Sequence, residues 1–375
     1  MDNLFVTCVK GFEPLLTEEL KELGFEKLEP SFCGVFVEGS FSDIYRINYC
    51  SRLASRVLMP LEQFALIDRD DLYEAARSID WRPFFEKRGS VAIDVNGRHN
   101  AFTNSLYAAQ IVKDAICDQL REHWNWRPNV DTKNPDVQLN VYLERKRATL
   151  FFDTSGDVLF KRGYRKETGE APLSESFAAG LLKLAGYKGT EHLFDPCCGS
   201  GTFLIEAAMI ATKTPPGYLR PRFGFFSHEQ FDEKVWLECK NEADAARIPL
   251  NEGQISGIDI SKSSVWNCRT NLRQAGFFDQ IQVEAADFRD YHPSNPINFI
   301  IANPPHGKRM GSVEQLASLY RSLGDFMKQQ TTKPARGFVF TSDMDLAKEV
   351  GLKPTLRHVV PYSNLDSRLL EYDLY

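Results

Sequence analysis

Asp195-Pro196-Cys197-Cys198-Gly199-Ser200-Gly201-Thr202 is the stretch that decides the fold. The apolar run His192-Leu193-Phe194 precedes it, and Phe203-Leu204-Ile205-Glu206-Ala207-Ala208-Met209-Ile210-Ala211 follows. That order predicts a short buried strand, a tight glycine loop and a helix. Glycines let a backbone approach a ligand closely, and a helix N-terminus offers free N–H groups there. The third glycine of a dinucleotide fingerprint would fall at Leu204, which argues against a nicotinamide or flavin site. A Walker lysine is missing as well, which argues against a triphosphate cradle. An acid, glycines and a helix without that lysine suit a ligand that has a nucleoside and no phosphate.

Downstream, the apolar strand Phe299-Ile300-Ile301-Ala302 runs into Asn303-Pro304-Pro305-His306-Gly307. Between the two stretches lie the predicted strands Ile255-Ser256-Gly257-Ile258-Asp259 and Ile281-Gln282-Val283-Glu284-Ala285, the latter followed by Asp287. A helix capped by Ser261 and ended by Gly276 separates them. Residues 337–340 supply a fifth strand, and residues 357–375 a final strand pair. Such alternation from Ala171 onward is a doubly wound parallel sheet. Ligands bind outside the carboxyl ends of such strands, where Asp195, Asp259, Asp287 and Asn303 fall. One irregularity is an insertion, Lys213 to Gly253, containing Pro215-Pro216-Gly217-Tyr218 and Arg222-Phe223-Gly224-Phe225-Phe226. It either shapes a substrate site or covers the sheet.

The first half reads as α+β. Residues 3–65 carry a strand at Leu4-Phe5-Val6-Thr7, a helix with Leu15, Leu16, Leu20 and Leu23 stopped by Gly24, a strand at Val35–Glu38 and a second helix from Ser42. Residues 70–155 carry a short helix from Asp71, a strand at Val91–Val95, and a helix from about Asn104 to Arg121. The alternating runs Val137–Leu143 and Ala148–Asp153 pair as a hairpin across Glu144-Arg145-Lys146-Arg147. A basic connector follows, Phe160-Lys161-Arg162-Gly163-Tyr164-Arg165-Lys166, suited to gripping phosphates and stacking a base or else to solvation.

Composition narrows the function classes. In 375 residues, 43% hydrophobic and 26% charged content is that of a soluble globular chain of two or three domains. No apolar run is long enough to span a membrane, and Met1-Asp2-Asn3-Leu4-Phe5 lacks a signal peptide's basic start, so a cytoplasmic location is expected. The 8 cysteines show no C-x-x-C pair and no zinc-finger spacing, so no metal is expected, and Cys197 and Cys198 read as small packing residues. A net charge of −6 excludes a general nucleic-acid binder and makes any RNA contact local. Arg145, Lys146, Arg147, Lys161, Arg162, Arg165 and Lys166 form the main basic set, with smaller sets at Arg220/Arg222 and Lys308/Arg309.

D-P-x-C-G-S-G-T resembles motif I of S-adenosylmethionine-dependent methyltransferases, and Asn303-Pro304-Pro305-His306 resembles the N-P-P-Y motif of enzymes that methylate exocyclic amines of bases. The first half resembles a THUMP module behind a ferredoxin-like piece, through Arg127-Pro128-Asn129-Val130-Asp131, Asn134-Pro135-Asp136-Val137 and the closing strands. Together these resemble the THUMP-containing guanine-N2 methyltransferases of bacterial 23S rRNA, in the N-terminal module of the RlmL type. The resemblance implies a ferredoxin-like region at 1–65, a THUMP RNA-binding domain at 66–155 and a Rossmann-like methyltransferase domain at 171–375. The chain is expected to end there, without the second methyltransferase module of some relatives. S-adenosylmethionine would be held by Asp195, Cys197, Gly199, Gly201, Thr202, Asp259 and Asp287, with Asp259 on the ribose hydroxyls and Asp287 on the adenine amine. Asn303, Pro304, Pro305 and His306 would form the catalytic set. The polar acceptors would align the amine, and His306, in place of the usual Tyr or Phe, would stack on a flipped base. The basic set would meet RNA, most simply 23S rRNA. A THUMP-type tRNA guanine-N2 methyltransferase and a weakly catalytic ribosome-assembly factor are the rival readings, and the THUMP-like half argues against a DNA adenine methylase.

Overall fold

The computed structural model describes residues 2–102, 104–166, 173–305, 313–362 and 365–375. His306, Lys308 and Arg309 therefore lie outside the described residues. The chain divides into two units. One comprises Met1–Val9, Leu16–Leu159 and Arg220–Glu242; the other comprises Lys10–Leu15, Phe160–Leu219 and Ala243–Tyr375.

In chain order the first unit is built from β1 (Asp2–Cys8), α1 (Glu13–Glu22), β2 (Leu28–Ser31), β3 (Gly34–Gly39), α2 (Phe41–Cys50), β4 (Ala54–Ala65), α3 (Arg69–Ser78), β5 (Ser90–Gly97), α4 (Ser105–Trp124), β6 (Asn129–Val130), β7 (Val137–Leu143) and β8 (Arg147–Asp153). One eight-stranded sheet, ordered β2-β3-β1-β4-β8-β7-β5-β6, runs through all of it. Antiparallel pairing of β4 with β8, from Leu58↔Asp153 to Ala65↔Arg147, makes that sheet continuous. On β1, Leu4, Val6 and Cys8 are buried, as a strand with one covered face requires. Local chemistry ends the helices. The Asn104 side chain accepts the Tyr107 N–H at 2.8 Å to start α4, and Gly24, at φ 93°, follows α1. Strand β2 and the two-residue β6 carry no alternating apolar signal and are not legible in the sequence.

The segment Arg220–Glu242 belongs to this unit, although its sequence lies inside the methyltransferase-like half. Phe223, Phe225, Phe231 and Trp236 gather around Tyr45 and Tyr49, with Tyr45–Phe225 centroids 4.8 Å apart and Tyr49–Trp236 5.4 Å apart. Tyr45 Oη accepts the Asp232 N–H at 3.0 Å. The segment thus packs on α2 of the first unit and not on the sheet of the half in which its sequence lies. Its basic pair is occupied in the same way: Arg220 donates to the Val158 carbonyl at 2.9 Å, and Arg222 pairs with Asp136 at 2.8 Å.

The second unit contains α5 (Glu175–Leu184), β9 (Leu193–Asp195), α6 (Thr202–Ala211), the end of α7 (Glu233–Ala245), β10 (Ile255–Asp259), α8 (Lys262–Ala275), β11 (Gln282–Ala285), β12 (Phe299–Ala302), α9 (Val313–Gln329), β13 (Ala335–Thr341), α10 (Met344–Glu349), β14 (Leu356–Val359) and β15 (Arg368–Leu374). Its sheet is ordered β11-β10-β9-β12-β13-β15-β14. The first five strands in that order are parallel, and β15 returns antiparallel between β13 and β14. All four residues of β12 are buried, as a parallel strand covered on both faces should be. Phe194, Ile300, Val339 and Tyr372 of the sheet share a core with Leu316, Tyr320, Leu323 and Met327 of α9.

Candidate active site

Four polar side chains gather at the carboxyl edge of this sheet. Asp195 closes β9, Asp259 closes β10, Asp287 follows β11, and Asn303 follows β12 directly. Strand β9 lies between β10 and β12, so the chain leaves β9 toward one side and later returns on the other. That is the topological switch point at which open α/β sheets bind ligands. Gly257 pairs with Asp195, so Asp259 reaches two residues further along the same direction. Ile300 pairs with Phe194, so Asn303 reaches the same level on the opposite flank.

The glycine loop is fixed by backbone donors. Asp195 Oδ1 accepts the Cys197 N–H at 3.0 Å, and Asp259 Oδ2 accepts the Gly199 N–H at 2.9 Å. Asp259 Oδ1 takes the Ser261 N–H, also at 2.9 Å. Each Asp259 oxygen keeps a further lone pair. Gly199 sits at φ 52° with open space where a side chain would stand. Gly201 differs: a Cβ there would lie 2.5 Å from Cys268 Sγ. Space is therefore open beside Gly199, whereas the missing side chain of Gly201 makes room for α8.

Electrostatics separate Asp195 from Asp287. Asp195 is 1% exposed, and burial, reinforced by the charge of Asp259 and opposed by the Cys197 N–H, pushes its carboxyl up to about 8. Asp287 is bound by Arg289, whose Nε lies 2.9 Å from both carboxylate oxygens; that pairing holds it below the usual carboxylate range. Asn303 is the unsatisfied member: its Oδ1 is buried with no hydrogen-bond partner among the described residues. A buried acceptor left open costs stability, and an N–H donor placed there would remove that cost. Pro304 is buried and Pro305 half-buried beside it. Cys197 packs on the Phe194 core, and Thr202 is occupied, since its Oγ1 accepts from Arg165 Nη2 at 3.0 Å.

That last bond belongs to a clamp the sequence did not reveal. Arg165 Nε donates to Glu175 Oε1 at 2.8 Å, and Nη2 also reaches the Leu173 carbonyl at 2.9 Å. Asn271 on α8, 1% exposed, donates to the Ser200 carbonyl at 3.1 Å and accepts the Lys166 N–H at 3.0 Å. A polar residue on the inward stripe of α8, beside Cys268 and Leu272, is the signal that marks Asn271. Tyr164 Oη donates to Glu206 at 3.0 Å, and Arg162, 1% exposed, lies 3.6 Å from the same carboxylate. Arg162 and Arg165 thus bind the connector onto the glycine loop and α6, and the expectation that they grip RNA is corrected for both. Lys161 and Lys166 are exposed, as are Arg145, Lys146 and Arg147 at the β7–β8 turn, where Arg147 is paired with Glu144.

Among the described residues no group of His, Cys, Asp or Glu could hold a metal ion, and no helix is long and apolar enough to cross a membrane.

Three family models match the chain: an RlmL ferredoxin-like domain at residues 3–58, a THUMP domain at 68–153 and an RMKL-like methyltransferase domain at 162–364. The ribosomal RNA large subunit methyltransferase K/L of Methylococcus capsulatus is 36% identical over 99% of this chain, which spans about half (51%) of that relative's length. The RNA methyltransferase candidate slr0064 of Synechocystis sp. is 35% identical, over 99% of this chain and 96% of its own. Among solved structures, the methyltransferase candidate SMU.472, complexed with SAH, superposes with a TM-score of 0.87 at 26% identity, covering 100% of this chain and 98% of that one.

Proposed function

The chain belongs to the family of RMKL-like methyltransferases that carry a THUMP domain and an RlmL ferredoxin-like domain, and from that premise we propose that it methylates the exocyclic N2 amine of a guanine in 23S rRNA, in the cytoplasm, with S-adenosylmethionine as the donor. The unmet Asn303 Oδ1 carries this reading. A guanine N2 amine offers two N–H donors and a lone pair delocalised into its ring. Asn303 Oδ1 and the Pro304 carbonyl would each accept one N–H, orient the amine, and stabilise the positive charge that develops on it. The proline pair fixes the backbone of that turn.

The crevice fits the donor. S-adenosylmethionine, when bound, supplies a methyl group activated by a sulfonium charge. The remaining lone pairs of Asp259 suit the vicinal ribose hydroxyls through charge-assisted bonds, and the open side of Gly199 leaves space for the methionine part. Asp287, held by Arg289, would take the adenine amine, and Asp195 holds the loop through Cys197. Residues 1–65 and 66–155 would then serve RNA recognition and 171–375 the transfer, with Arg145, Lys146, Lys161 and Lys166 as the RNA-facing cations.

Nucleoside mass spectrometry of rRNA and tRNA from a deletion strain tests the proposal. One N2-methylguanosine should vanish from 23S rRNA, return with the wild-type gene, and stay absent with Asn303→Ala. Loss from tRNA instead would move the substrate, and no loss at all would favour an assembly role.

A further inference from the structure

Helix α8 carries a second feature that the site does not use. Lys262, Trp266, Arg269 and Arg273 are spaced i, i+4, i+7 and i+11 along it, so they share one face. All four are exposed, while Val265, Cys268 and Leu272 on the other side are buried. Between Lys262 and Ala275 there are three cations and no acid, in a chain whose net charge is −6. None of the three cations is in an ion pair among the described residues. Two of them are held in place by other means: Arg269 donates to the Val283 carbonyl at 2.7 Å, and the Arg273 guanidinium lies 4.1 Å over the Phe278 ring.

We propose that this stripe is an RNA-docking surface on the methyltransferase unit itself, holding the strand that leads into the crevice. The proposal rests on the reading of the chain as an RNA methyltransferase and adds where that unit grips its substrate. Position supports it, because α8 starts three residues after Asp259, at the lip of the switch point. Charge supports it too: uncompensated cations along about 16 Å of helix, at 1.5 Å per residue, are complementary to a phosphate backbone. The aromatic group selects nucleic acid over an acidic protein face. Trp266 is 60% exposed, with Lys262 one turn before it and Arg269 one turn after. A flat face between two cations suits a base stacked between two bound phosphates.

The test uses the full chain and large-subunit rRNA from a deletion strain. RNA affinity is measured across a salt series for wild type, Lys262→Ala/Arg273→Ala, Trp266→Ala and Trp266→Phe, with SAH affinity by calorimetry as the control for folding. The double variant should bind RNA about tenfold or more weakly. Its slope of log affinity against log salt should become shallower by about 1.4, since each cation that neutralises a single-strand phosphate adds roughly 0.7 to the slope. Trp266→Ala should lose roughly 5- to 150-fold, with Trp266→Phe recovering most of it. The KM for RNA should rise with kcat unchanged. Wild type that binds and methylates RNA, with all variants matching it in affinity and slope, would overturn the docking surface and leave the enzymatic reading intact. Wild type that neither binds nor methylates RNA would overturn both. Variants that lose SAH affinity along with RNA affinity would place the stripe in the fold and overturn the proposal as well.

Discussion

The Gly199 N–H donates to Asp259 Oδ2 at 2.9 Å, joining the first glycine of the loop after β9 to the acid that ends β10. With Ser261 on Oδ1, this carboxylate holds the crevice in shape before any ligand arrives. The hydrogen bond gives that side chain a structural role, and the proposed ribose contact would add to it, because each oxygen accepts a backbone N–H and keeps a further lone pair.

Removing that side chain should disturb both roles. Asp259→Ala is expected to weaken SAH binding by about 1.5–3 kcal/mol, the scale of hydrogen bonds to a charged group. Asp259→Asn, which keeps one acceptor, should lose less. Isothermal calorimetry gives both values; equal affinity in wild type and Asp259→Ala would take Asp259 out of the ligand site.

Asp195 should make stability depend on pH. Its folded carboxyl is pushed up to about 8, against about 3.9 in an unfolded chain. The native state then binds the extra proton between those values, so its stability contribution is present at low pH and is lost as pH rises through 8. Thermal unfolding from pH 5 to 9 should show wild type falling relative to Asp195→Asn. Parallel curves would contradict the buried, proton-holding carboxyl.

Gly201 should resist substitution for two separable reasons. Its φ is 86°, and a Cβ would stand 2.5 Å from Cys268 Sγ. Gly201→Ala is expected to cost about 2–4 kcal/mol from backbone strain and overpacking together. Adding Cys268→Ala should return the overpacking part and leave the strain, which urea unfolding of the single and double variants can resolve. A purely additive double variant would rule out the contact.

His228 should act in the opposite sense to Asp195. It lies among Phe41, Phe84 and Phe152, and burial pushes its imidazole down to about 4. An unfolded His protonates near 6.5, so the unfolded state gains the proton first on acidification. The stabilising contribution is full above that value and is lost as pH falls toward 4. His228→Phe should flatten the decline between pH 6.5 and 4.5, measured by denaturant unfolding against wild type. A variant with the wild-type pH profile would show that His228 is not the titrating group.

The sequence by itself determined the strand–loop–helix at residues 193–211, the acid that ends β10, the acid that follows β11, and Asn303 after β12. Glycine placement, apolar period and strand–helix alternation are local properties, and they fix which residues stand at strand ends. Only the tertiary structure decided what those residues touch. Leu58 pairs with Asp153 to make one sheet of the whole first unit. Arg162 and Arg165, legible only as positive charge, meet Glu206 and Glu175 and become internal fastenings. Gly201 faces a thiol of α8, Asn271 reaches Ser200 from far along the chain, and Arg220–Glu242 packs around Tyr45. Burial and partner choice depend on residues distant in sequence, so a charge or a glycine announces its chemistry locally while its role waits on the neighbour that folding brings to it.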